Sequence, residues 1–518
     1  MSIVVGKNVL ESLTTGMYSD NRIVYREYIQ NASDSLDRAV RDGILAKDEA
    51  SIDITLNVNR REIRIRDNGS GIVTKHVHAQ LGDIGKSSKN YKEQRGFRGI
   101  GRLGGLGYCE EVRFVTSAVN EPLKTIVSWD CVKLRKLLQP HVEPDLDVVE
   151  VVRRVTMESS EKEAAAAHYF EVILTGVDKG HDNLLDLENI KDYLSQVAPV
   201  PFNHQKFTEL RAINQKLLEL GKPPEEYTIV LNQEQVFKPY ARKLAAANKE
   251  KDFVEGLEFF EGNHEGKLFF LGWYGKTCLS GMIKDQSVAG LRVRKRNVLI
   301  GDSRTLDEFF GQNRTYQNFN RWFIGEIYVF HHNLIPNSRR DSFEQNETYF
   351  DFKQEVEKTT RDKLAKLPHT YSGERSERKS IDVTRKDVQA IKEEMTKGIT
   401  TVGKERIIKK IEKIESTLKK VTGKTASHDR FTCTEGNTGA KKVLKEKEQI
   451  LKEVETLRET VATSKNFKSS RIPSSYPKEV RTVVERIFEV IDQMLPEGQA
   501  YELQEGIIDA LQIKGKRK

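Results

Sequence analysis

Apolar residues near the start of the chain recur at two periods, one typical of strands and one typical of helices. Residues 51–58 and 61–69 alternate apolar and polar side chains, as half-buried strands do. Residues 111–119 and 125–132 continue the strand pattern, and the glycine-rich segment 96–107 separates the two pairs. Helical patterns accompany these strands, so we predict a mixed sheet with helices on one face.

A second region with its own strand pattern follows the first. Its predicted strands are short, and helical stretches lie between them. They cover residues 226–232, 267–275, 291–301 and 325–331. All three tryptophans fall within these first two regions, which agrees with two packed cores. We therefore predict one domain over 1–185 and a second over 186–365.

The last third of the chain changes to a helical pattern dense in lysine and glutamate. A polar break at 370–380 precedes two apolar stripes with steps of three and four, at 388–421 and 450–461. Turn-forming residues at 423–439 separate the two stripes. We predict an antiparallel helical hairpin or coiled coil over 366–468.

Residues 469–518 form the fourth predicted region. It begins with the linker 469–477 and continues with one amphipathic helix and a shorter one. The apolar stripe of the first helix is Val480, Val483, Val484, Ile487, Ile491 and Met494. The final segment, Lys-Gly-Lys-Arg-Lys, is basic, and we interpret it as solvated.

Composition narrows the class of protein. Of the 518 residues, 37% are hydrophobic and 31% are charged, which provides for several cores and places excess charge on solvated helices. The net charge of +8 permits contact with nucleic acid without requiring it. The four cysteines form no C-x-x-C pair, which argues against a zinc site or a disulfide framework. No apolar run nears the ~20 residues that span a bilayer, so we expect a cytoplasmic protein without membrane contact.

The segment 25–40, YREYIQNASDSLDRAV, is the first candidate for chemistry. Its apolar residues form one helical stripe, and its polar residues are unusually placed. At 100° per residue, Glu27, Asn31 and Asp34 fall within a sector of about 60°. Polar faces of this kind are most often only solvated, so the segment alone does not establish a site.

Two segments that contain glycine follow it. Asp67 ends a strand and can accept a hydrogen bond from an amine, while Gly69 and Gly71 let the backbone pass close to a planar ligand. A hairpin turn is the alternative interpretation. The second segment is a glycine-rich loop that can offer backbone N–H groups to phosphates. Its first glycines are Gly96, Gly99 and Gly101.

The order of these three segments is more informative than any one of them. A helix with Glu, Asn and Asp, then D-x-G-x-G, then G-x-x-G-x-G resembles the GHKL ATPases. Within that superfamily, MYSDNRIVYREYIQNASDSLD and LGDIGKSSK look most similar to the ninety-kilodalton heat-shock chaperones, whereas GFRG resembles MutL. The resemblance covers residues 17–107. It implies a GHKL, or Bergerat, α/β sandwich over 1–185 in a chain of α+β class.

The resemblance also implies a role for each candidate residue. Glu27 would polarise the attacking water as a general base, and Asn31 would bind the Mg²⁺ that bridges the phosphates of ATP. Asp34 and Asp67 would lie near the adenine, with Asp67 accepting from its amino group. Residues 84–101 would act as a lid. The remaining implied nucleotide contacts are Gly69, Gly71, Lys86, Ser87, Gly96, Gly99 and Gly101.

A further candidate lies in the second region. Residues 332–346, HNLIPNSRRDSFEQN, resemble the chaperone middle-domain loop that sends an arginine to the γ-phosphate. Arg340 precedes Asp341 as in that loop, and Arg339 is the adjacent alternative; a surface arginine pair bridged to Asp341 is the interpretation without function. An arginine suits phosphoryl transfer because that reaction depends on charge stabilisation. By the same resemblance, residues 186–365 form a ribosomal-protein-like α/β transducer domain.

Two departures limit the resemblance. Phe170 stands where the chaperones usually carry a threonine on the adenine side of the site. The C-terminal third does not look like the chaperone dimerisation domain, and a coiled-coil hairpin takes its place. Client and co-chaperone behaviour therefore does not follow from the resemblance.

The function that we expect is an Mg²⁺-dependent, ATP-driven clamp. Its lid would close and its N-terminal domains dimerise on ATP, with a protein client or effector as partner and a prokaryotic stress or defence role. The alternative is a MutL- or MORC-like DNA clamp, which GFRG, the net charge and the lysine-rich helices motivate. A third hypothesis, an ATP-sensing scaffold without turnover, is disfavoured by the intact Glu27. The sequence names no client, partner or pathway.

Overall fold

The computed structural model of the chain shows two compact units, Met1–Pro368 and His369–Lys518. The residues that it describes are 5–14, 16, 20–85, 94–96, 98–245, 251–277, 281–396, 401–421, 438–463, 472 and 476–515. Within these ranges, every helix is too short or too polar to span a lipid bilayer. The boundaries of the four predicted domains stay a prediction.

Eight strands form the first sheet of the unit Met1–Pro368. They are β1 (Ser51–Asn57), β2 (Glu62–Asp67), β3 (Glu111–Ser117), β4 (Leu123–Asp130), β5 (Thr156–Lys162), β6 (Tyr169–Thr175), β7 (Thr228–Leu231) and β8 (Glu234–Gln235). The spatial order is β5-β4-β3-β6-β2-β1-β7-β8, antiparallel except where β1 meets β7. The four strands predicted before residue 185 are confirmed as β1 to β4. The strand predicted at 226–232 joins this sheet as β7, so the sheet continues beyond residue 185.

Helices accompany the strands of this sheet along the chain, and one of these helices forms part of the wall of the site. They are α1 (Asn8–Thr14), α2 (Ile23–Arg41), α3 (Thr74–Val77), α4 (Cys131–Leu138), α5 (Val148–Val155), α6 (Leu187–Val197) and α7 (Leu210–Glu219). The predicted apolar stripe of α2 is confirmed, because it is buried in one core with the inward side chains of the sheet. Tyr25 donates to the carbonyl of Leu184, and Tyr28 donates to the carbonyl of Arg102. These contacts fix the rotation of α2 about its axis.

A second sheet follows in the same unit, with a two-stranded ribbon beside it in the sequence. The ribbon is β9 (Lys243–Ala245) and β10 (Lys251–Phe253); the sheet is β11 (Gly256–His264), β12 (Lys267–Lys276), β13 (Gly290–Lys295), β14 (Val298–Ile300) and β15 (Ile324–Val329). The sheet order is β11-β12-β15-β13-β14, with β13 parallel to β15. Its helices are α8 (Asp307–Phe310), α9 (Arg314–Gln317) and α10 (Glu347–Thr359). The strands predicted at 267–275 and 325–331 are confirmed here. The single strand predicted at 291–301 is instead two antiparallel strands, β13 and β14, joined by a turn at Arg296 and Asn297, which both have positive φ.

A buried ion network lies inside this second sheet. Glu326 on β15 accepts from Lys238 at 2.7 Å and from Arg294 on β13, and all three side chains are almost fully buried. Burial alone raises the pKa of Glu326, but the two cations outweigh it and lower the pKa to about 2. Because each charge has a partner, the network avoids the large cost of an unpaired buried ion.

Long helices make up the second unit. They are α11 (Lys366–Thr396), α12 (Thr401–Lys420), α13 (Thr438–Thr463), α14 (Lys478–Met494) and α15 (Glu497–Gly515). The predicted stripes at 388–421 and 450–461 are buried together in one core. Lys404 reaches the carbonyl of Ala462, and Lys447 reaches that of Val421, so α12 and α13 run antiparallel. A coiled-coil geometry stays a prediction.

Two local predictions for this unit have different outcomes. The polar break predicted at 370–380 is wrong, because the backbone of α11 is helical throughout that segment. Glutamate, arginine and lysine are good helix formers, and an isolated glycine costs only about 1 kcal/mol in a helix. The turn predicted at 423–439 falls almost wholly outside the described residues.

Candidate active site

Glu27 and Asn31 of α2 both line a cavity of about 650 Å³ in the first unit. The tyrosine contacts of α2 set its rotation, and the polar face predicted for this helix then meets the cavity. Glu27 is buried and Asn31 is half-buried. The structure therefore brings together the predicted general base and the predicted Mg²⁺ ligand.

Asp67, at the end of β2, is buried, and it is absent from the lining of the cavity, whereas Phe170, which pairs with it across the sheet, is part of that lining. Burial raises its pKa to about 7, although the backbone N–H of Gly69 donates to its Oδ1 at 2.9 Å and opposes the shift. A carboxyl group of this kind changes charge near neutral pH. It is a buried acceptor in the position where the sequence predicts contact with an amine.

The two glycines after Asp67 are required by their surroundings. A Cβ at Gly69 would lie 2.3 Å from the Oγ of Ser35, and a Cβ at Gly71 would lie 1.9 Å from the carbonyl oxygen of Ser117. Gly71 also has a φ of +61°, which favours glycine. The backbone after β2 thus passes close to both α2 and β3. That the two glycines make room for a planar ligand stays a prediction.

Phe170 lies on β6 directly opposite Asp67 and also lines the cavity. Its ring stacks on that of Phe114, with centroids 6.1 Å apart. The structure therefore places this departure from the chaperone pattern beside the predicted adenine acceptor. An aromatic face replaces a hydroxyl group at this point.

The glycine-rich segment closes another side of the cavity. A Cβ at Gly101 would lie 2.2 Å from the Oε2 of Glu27, so the backbone here packs directly on the predicted base. Gly96 and Gly99 also line the cavity, and Gly99 has a φ of +70°. Half of the predicted lid over 84–101 lies outside the described residues, and this half includes Lys86 and Ser87.

The carboxylate of Asp34 is bound by backbone N–H groups. Its two carboxylate oxygens accept from the backbone N–H groups of Arg95 and Gly96, at 2.9 and 3.0 Å. Asp34 therefore fastens the segment 94–96 to α2, and it is absent from the lining of the cavity. Its predicted contact with adenine stays a prediction, since this carboxylate already binds backbone.

Arg340 reaches the cavity from the loop after β15. Its Nε donates to the Oε1 of Glu27 at 2.9 Å, and its Nη2 donates to the carbonyl of Arg95 at 3.0 Å. Both members of the Arg340–Glu27 pair are buried. The side chain of Arg339 is exposed, and only its carbonyl contacts α2, where it accepts from Arg26 at 2.8 Å. Of the two candidate arginines, Arg340 is the one that meets the predicted base.

Arg95 is a central residue that the sequence reasoning missed. Its guanidinium donates to Asp37 and to Glu225, both at 2.7 Å, and Arg296 donates to the same Glu225 at 3.0 Å. Burial lowers the pKa of Arg95, but Tyr227 and the carboxylates around it outweigh burial and hold the pKa well above its ordinary value. The network joins α2 to residues about two hundred positions later, so no local pattern could have revealed it.

The residues present fit a nucleotide with Mg²⁺. Among the described residues, no group of three or more His, Cys, Asp or Glu side chains is arranged to hold a metal ion. Mg²⁺ bound with ATP takes most of its ligands from phosphates and water and needs few from the protein. The amide oxygen of Asn31, on the cavity wall beside Glu27, is chemically suited to such a site.

Comparison with known proteins agrees with this geometry. The family described as histidine kinase-, DNA gyrase B-, and HSP90-like ATPase matches residues 19–161. The chaperone protein HtpG of Halalkalibacterium halodurans is 30% identical over 131 residues, which is 22% of this chain and 21% of that protein. HtpG of Methylibium petroleiphilum is 36% identical over 87 residues, 16% of this chain and 14% of that protein. HtpG of Fusobacterium nucleatum is 35% identical over 95 residues, 17% and 16% of the two chains.

The chain thus spans about a fifth or less of the length of these curated relatives. Most of the residues that line the cavity lie in this matched part, on α2, in the segment after β2, in and after α3, and in the glycine-rich segment. The family likeness of this chain is therefore to the histidine kinase-, DNA gyrase B- and HSP90-like ATPases, over residues 19–161.

Proposed function

We propose that the chain binds ATP with Mg²⁺ in the cavity of about 650 Å³ and hydrolyses it to ADP and phosphate. The proposal rests on one observation above all: Glu27 and Arg340, 313 positions apart, form a buried pair at the cavity wall. A carboxylate that can activate water and a cation that can stabilise phosphoryl charge are the two groups that ATP hydrolysis needs. The family match over 19–161 supports the same conclusion.

Each residue of the site has a defined part in this proposal. Glu27 takes a proton from the attacking water, and Arg340 turns from Glu27 to the γ-phosphate. Asn31 offers its amide oxygen to Mg²⁺, which neutralises phosphate charge when bound. Asp67 accepts from the adenine amine, and Phe170 lies across from it on β6.

The test is to separate binding from turnover. Glu27→Ala should still bind ATP but should lose about 10²- to 10⁴-fold in turnover, the usual contribution of a general base. Arg340→Ala should slow turnover and leave binding largely intact. Glu188→Ala, an exposed glutamate on α6, is the matched control. Binding is followed by calorimetry and turnover by phosphate release.

Two results would contradict these assignments. Normal turnover in Glu27→Ala would exclude it as the base. Turnover that is impaired in Arg339→Ala and normal in Arg340→Ala would assign the contact with the γ-phosphate to Arg339 instead of Arg340. Of these two arginines, Arg340 is the one whose side chain binds Glu27 in the structure.

We also propose that ATP drives a homodimeric clamp. Support comes from α14, where Val480, Val483, Ile487, Val490 and Met494 are exposed at steps of three and four, the spacing of a two-helix seam. Val483 and Val490 are 57% and 53% exposed, which is unusual for an apolar stripe that has its own partner in the chain.

The dimer proposal is tested by light scattering on the full chain. Val483→Ser with Val490→Ser should shift the population from dimer to monomer. Val58→Ser replaces an equally exposed valine in the other unit and is the control. A wild-type monomer at all concentrations, with and without a non-hydrolysable ATP analogue, would exclude the homodimer.

The partner held by the clamp is proposed to be a protein client or effector. Glu27→Ala in ATP should trap the closed state, so affinity capture with this variant should enrich proteins that are absent in ADP. Recovery of the same proteins in ATP and in ADP would argue against partner binding that depends on ATP.

A DNA clamp is the second candidate, and the distribution of charge favours it. Residues 369–518 contain 32 Lys and Arg and 24 Asp and Glu, so this unit holds the whole net charge of +8. DNA binding through such a unit would weaken steeply with salt, because phosphate contacts release counterions. The absence of binding to duplex DNA at low salt would exclude this candidate.

A further inference from the structure

A second cavity, of about 770 Å³, lies in the unit Met1–Pro368 and is rich in arginine. We name it the arginine cavity. Within the part of the chain that the structure describes, Arg340 alone lines both this cavity and the first one. The arginines that line it are Arg22, Arg26, Arg292, Arg304, Arg339 and Arg340.

Two of these six arginines already have carboxylate partners. Arg22 pairs with Asp20 at 2.8 Å, and Arg340 pairs with Glu27 at 2.9 Å. Among the described residues, no carboxylate lies at ion-pair distance from the other four. These four are Arg26, Arg292, Arg304 and Arg339.

Arg26 and Arg292 form the buried part of the cavity, with 6% and 2% of their surface exposed. The Nε atom of each has no hydrogen-bond partner within the described structure. Their other contacts are to neutral oxygens. Arg26 donates to the carbonyl of Arg339, and Arg292 donates to the side chain of Gln196 and the carbonyl of Gln286. Buried cations without an anion are costly to fold and are normally paired.

A neighbouring arginine on the same strand is buried as well, but it has a carboxylate partner. Arg294 lies two positions after Arg292 on β13 and is equally buried, but it binds the carboxylate of Glu326. Burial lowers the pKa of both arginines, but at Arg294 the carboxylate of Glu326, together with Tyr240 and Tyr328, outweighs burial and raises the pKa, whereas the pKa of Arg292 stays lowered. Arg292 thus lacks the anion that its neighbour has.

Carboxylates do line the rim of the arginine cavity. Asp192, Asp302 and Asp341 are exposed, and none of them lies at ion-pair distance from a buried arginine; burial lowers the pKa of Arg292 by more than Asp302 raises it. Each already accepts a hydrogen bond: from Gln196, from the backbone N–H of Arg304 and from Asn337, respectively. The rim therefore does not neutralise the two guanidinium groups at the bottom.

We propose that the arginine cavity binds a small free anion that bears a phosphate group, held by Arg26, Arg292, Arg304 and Arg339. Planar guanidinium groups match the oxygens of a phosphate with paired, charge-assisted hydrogen bonds. The volume is large enough for a phosphate ester as well as for inorganic phosphate. Binding here does not depend on ATP hydrolysis, because the shared residue Arg340 is not among the four.

The test must measure phosphate binding to the arginine cavity without a contribution from phosphate binding to the first cavity. The full chain is saturated with a non-hydrolysable ATP analogue, and inorganic phosphate or ribose 5-phosphate is then titrated in by calorimetry at constant ionic strength. The variant is Arg304→Ala with Arg339→Ala, both of which are exposed, so the fold should survive. Arg314→Ala, an exposed arginine on α9 outside the cavity, is the control.

We expect one site for at least one of the two probes in the wild type and in the control. The double variant should bind at least about tenfold more weakly, as expected for the loss of a charged contact. Failure of both probes to bind at millimolar concentration would overturn the proposal. Equal binding by the double variant and by the control would overturn it as well.

Discussion

Replacing Asp67 with asparagine should remove a large pH dependence from the stability of the first unit. Burial raises the pKa of this carboxyl group from 3.8 to about 7. The native protein therefore keeps a proton that the unfolded chain has already lost at pH 5 or 6. Asparagine has nearly the same shape and can still accept from Gly69, but it has no proton to lose.

The sign follows from which state binds more protons. Below pH 3.8 both states are protonated, so the stabilising contribution is fully present. As pH rises from 3.8 to about 7, only the unfolded chain ionises, and the free energy of unfolding falls. The total loss is on the order of 4 kcal/mol, at 1.36 kcal/mol for each pKa unit. About 2–3 kcal/mol of this loss in the free energy of unfolding falls between pH 5 and pH 7.

The assay is urea unfolding from pH 5 to pH 8, followed by tryptophan fluorescence. The tryptophans at 129, 273 and 322 all belong to the first unit, so they report on the unit that contains Asp67. Asp67→Asn should gain about 2–3 kcal/mol relative to the wild type as the pH rises through this range. Asp53→Asn, an exposed carboxyl on the paired strand β1, is the control. A difference between wild type and Asp67→Asn that stays constant with pH would refute the reasoning.

Three further predictions concern other parts of the molecule. In a double-mutant cycle by urea unfolding, Glu27→Ala and Arg340→Ala should show a coupling of about 2–3 kcal/mol because the pair is buried; additive effects would contradict the pair. Gly71→Ala should abolish ATP binding and destabilise by about 2 kcal/mol more than Gly43→Ala, as measured by calorimetry and unfolding. Both glycines have positive φ, but only Gly71 lacks room for a Cβ; equal effects would contradict this. Ile411→Ala should cost about 2–5 kcal/mol in the helical unit, followed by circular dichroism, and should leave ATP binding unchanged; a loss below about 1 kcal/mol would show that the site is not packed.

Local pattern was enough to predict the elements that form most of the cavity. The alternation of apolar and polar side chains predicted β1 and β2, and the helical spacing of apolar side chains predicted the buried stripe of α2. Both patterns depend only on which side of a single element is buried. The two glycines after Asp67 were also readable, since a close backbone approach excludes a Cβ whatever the rest of the fold does.

Long-range placement could not be read from local pattern. The contact of Asp34 with the segment 94–96 and the carboxylate network of Arg95 join parts of the chain that no periodicity relates. The assignment of residues 226–232 to the first sheet is a similar case, because a short strand fits either sheet until its partner is known. The predicted break at 370–380 failed for another reason: charged residues suit loops and exposed helices alike.

One backbone conformation lets a single loop contact both cavities. Arg340 has a φ of +58°, a left-handed conformation that costs about 1–2 kcal/mol for a residue other than glycine. With this turn, the carbonyl of Arg339 meets Arg26 while the side chain of Arg340 meets Glu27, so two successive loop residues bind two successive residues of α2. The buried ion pair and the carbonyl bond offset the strain, and strain of this kind persists only where the surroundings enforce it. An anion bound by Arg26 and Arg339 would therefore act on the same two backbone segments that position Glu27 and Arg340.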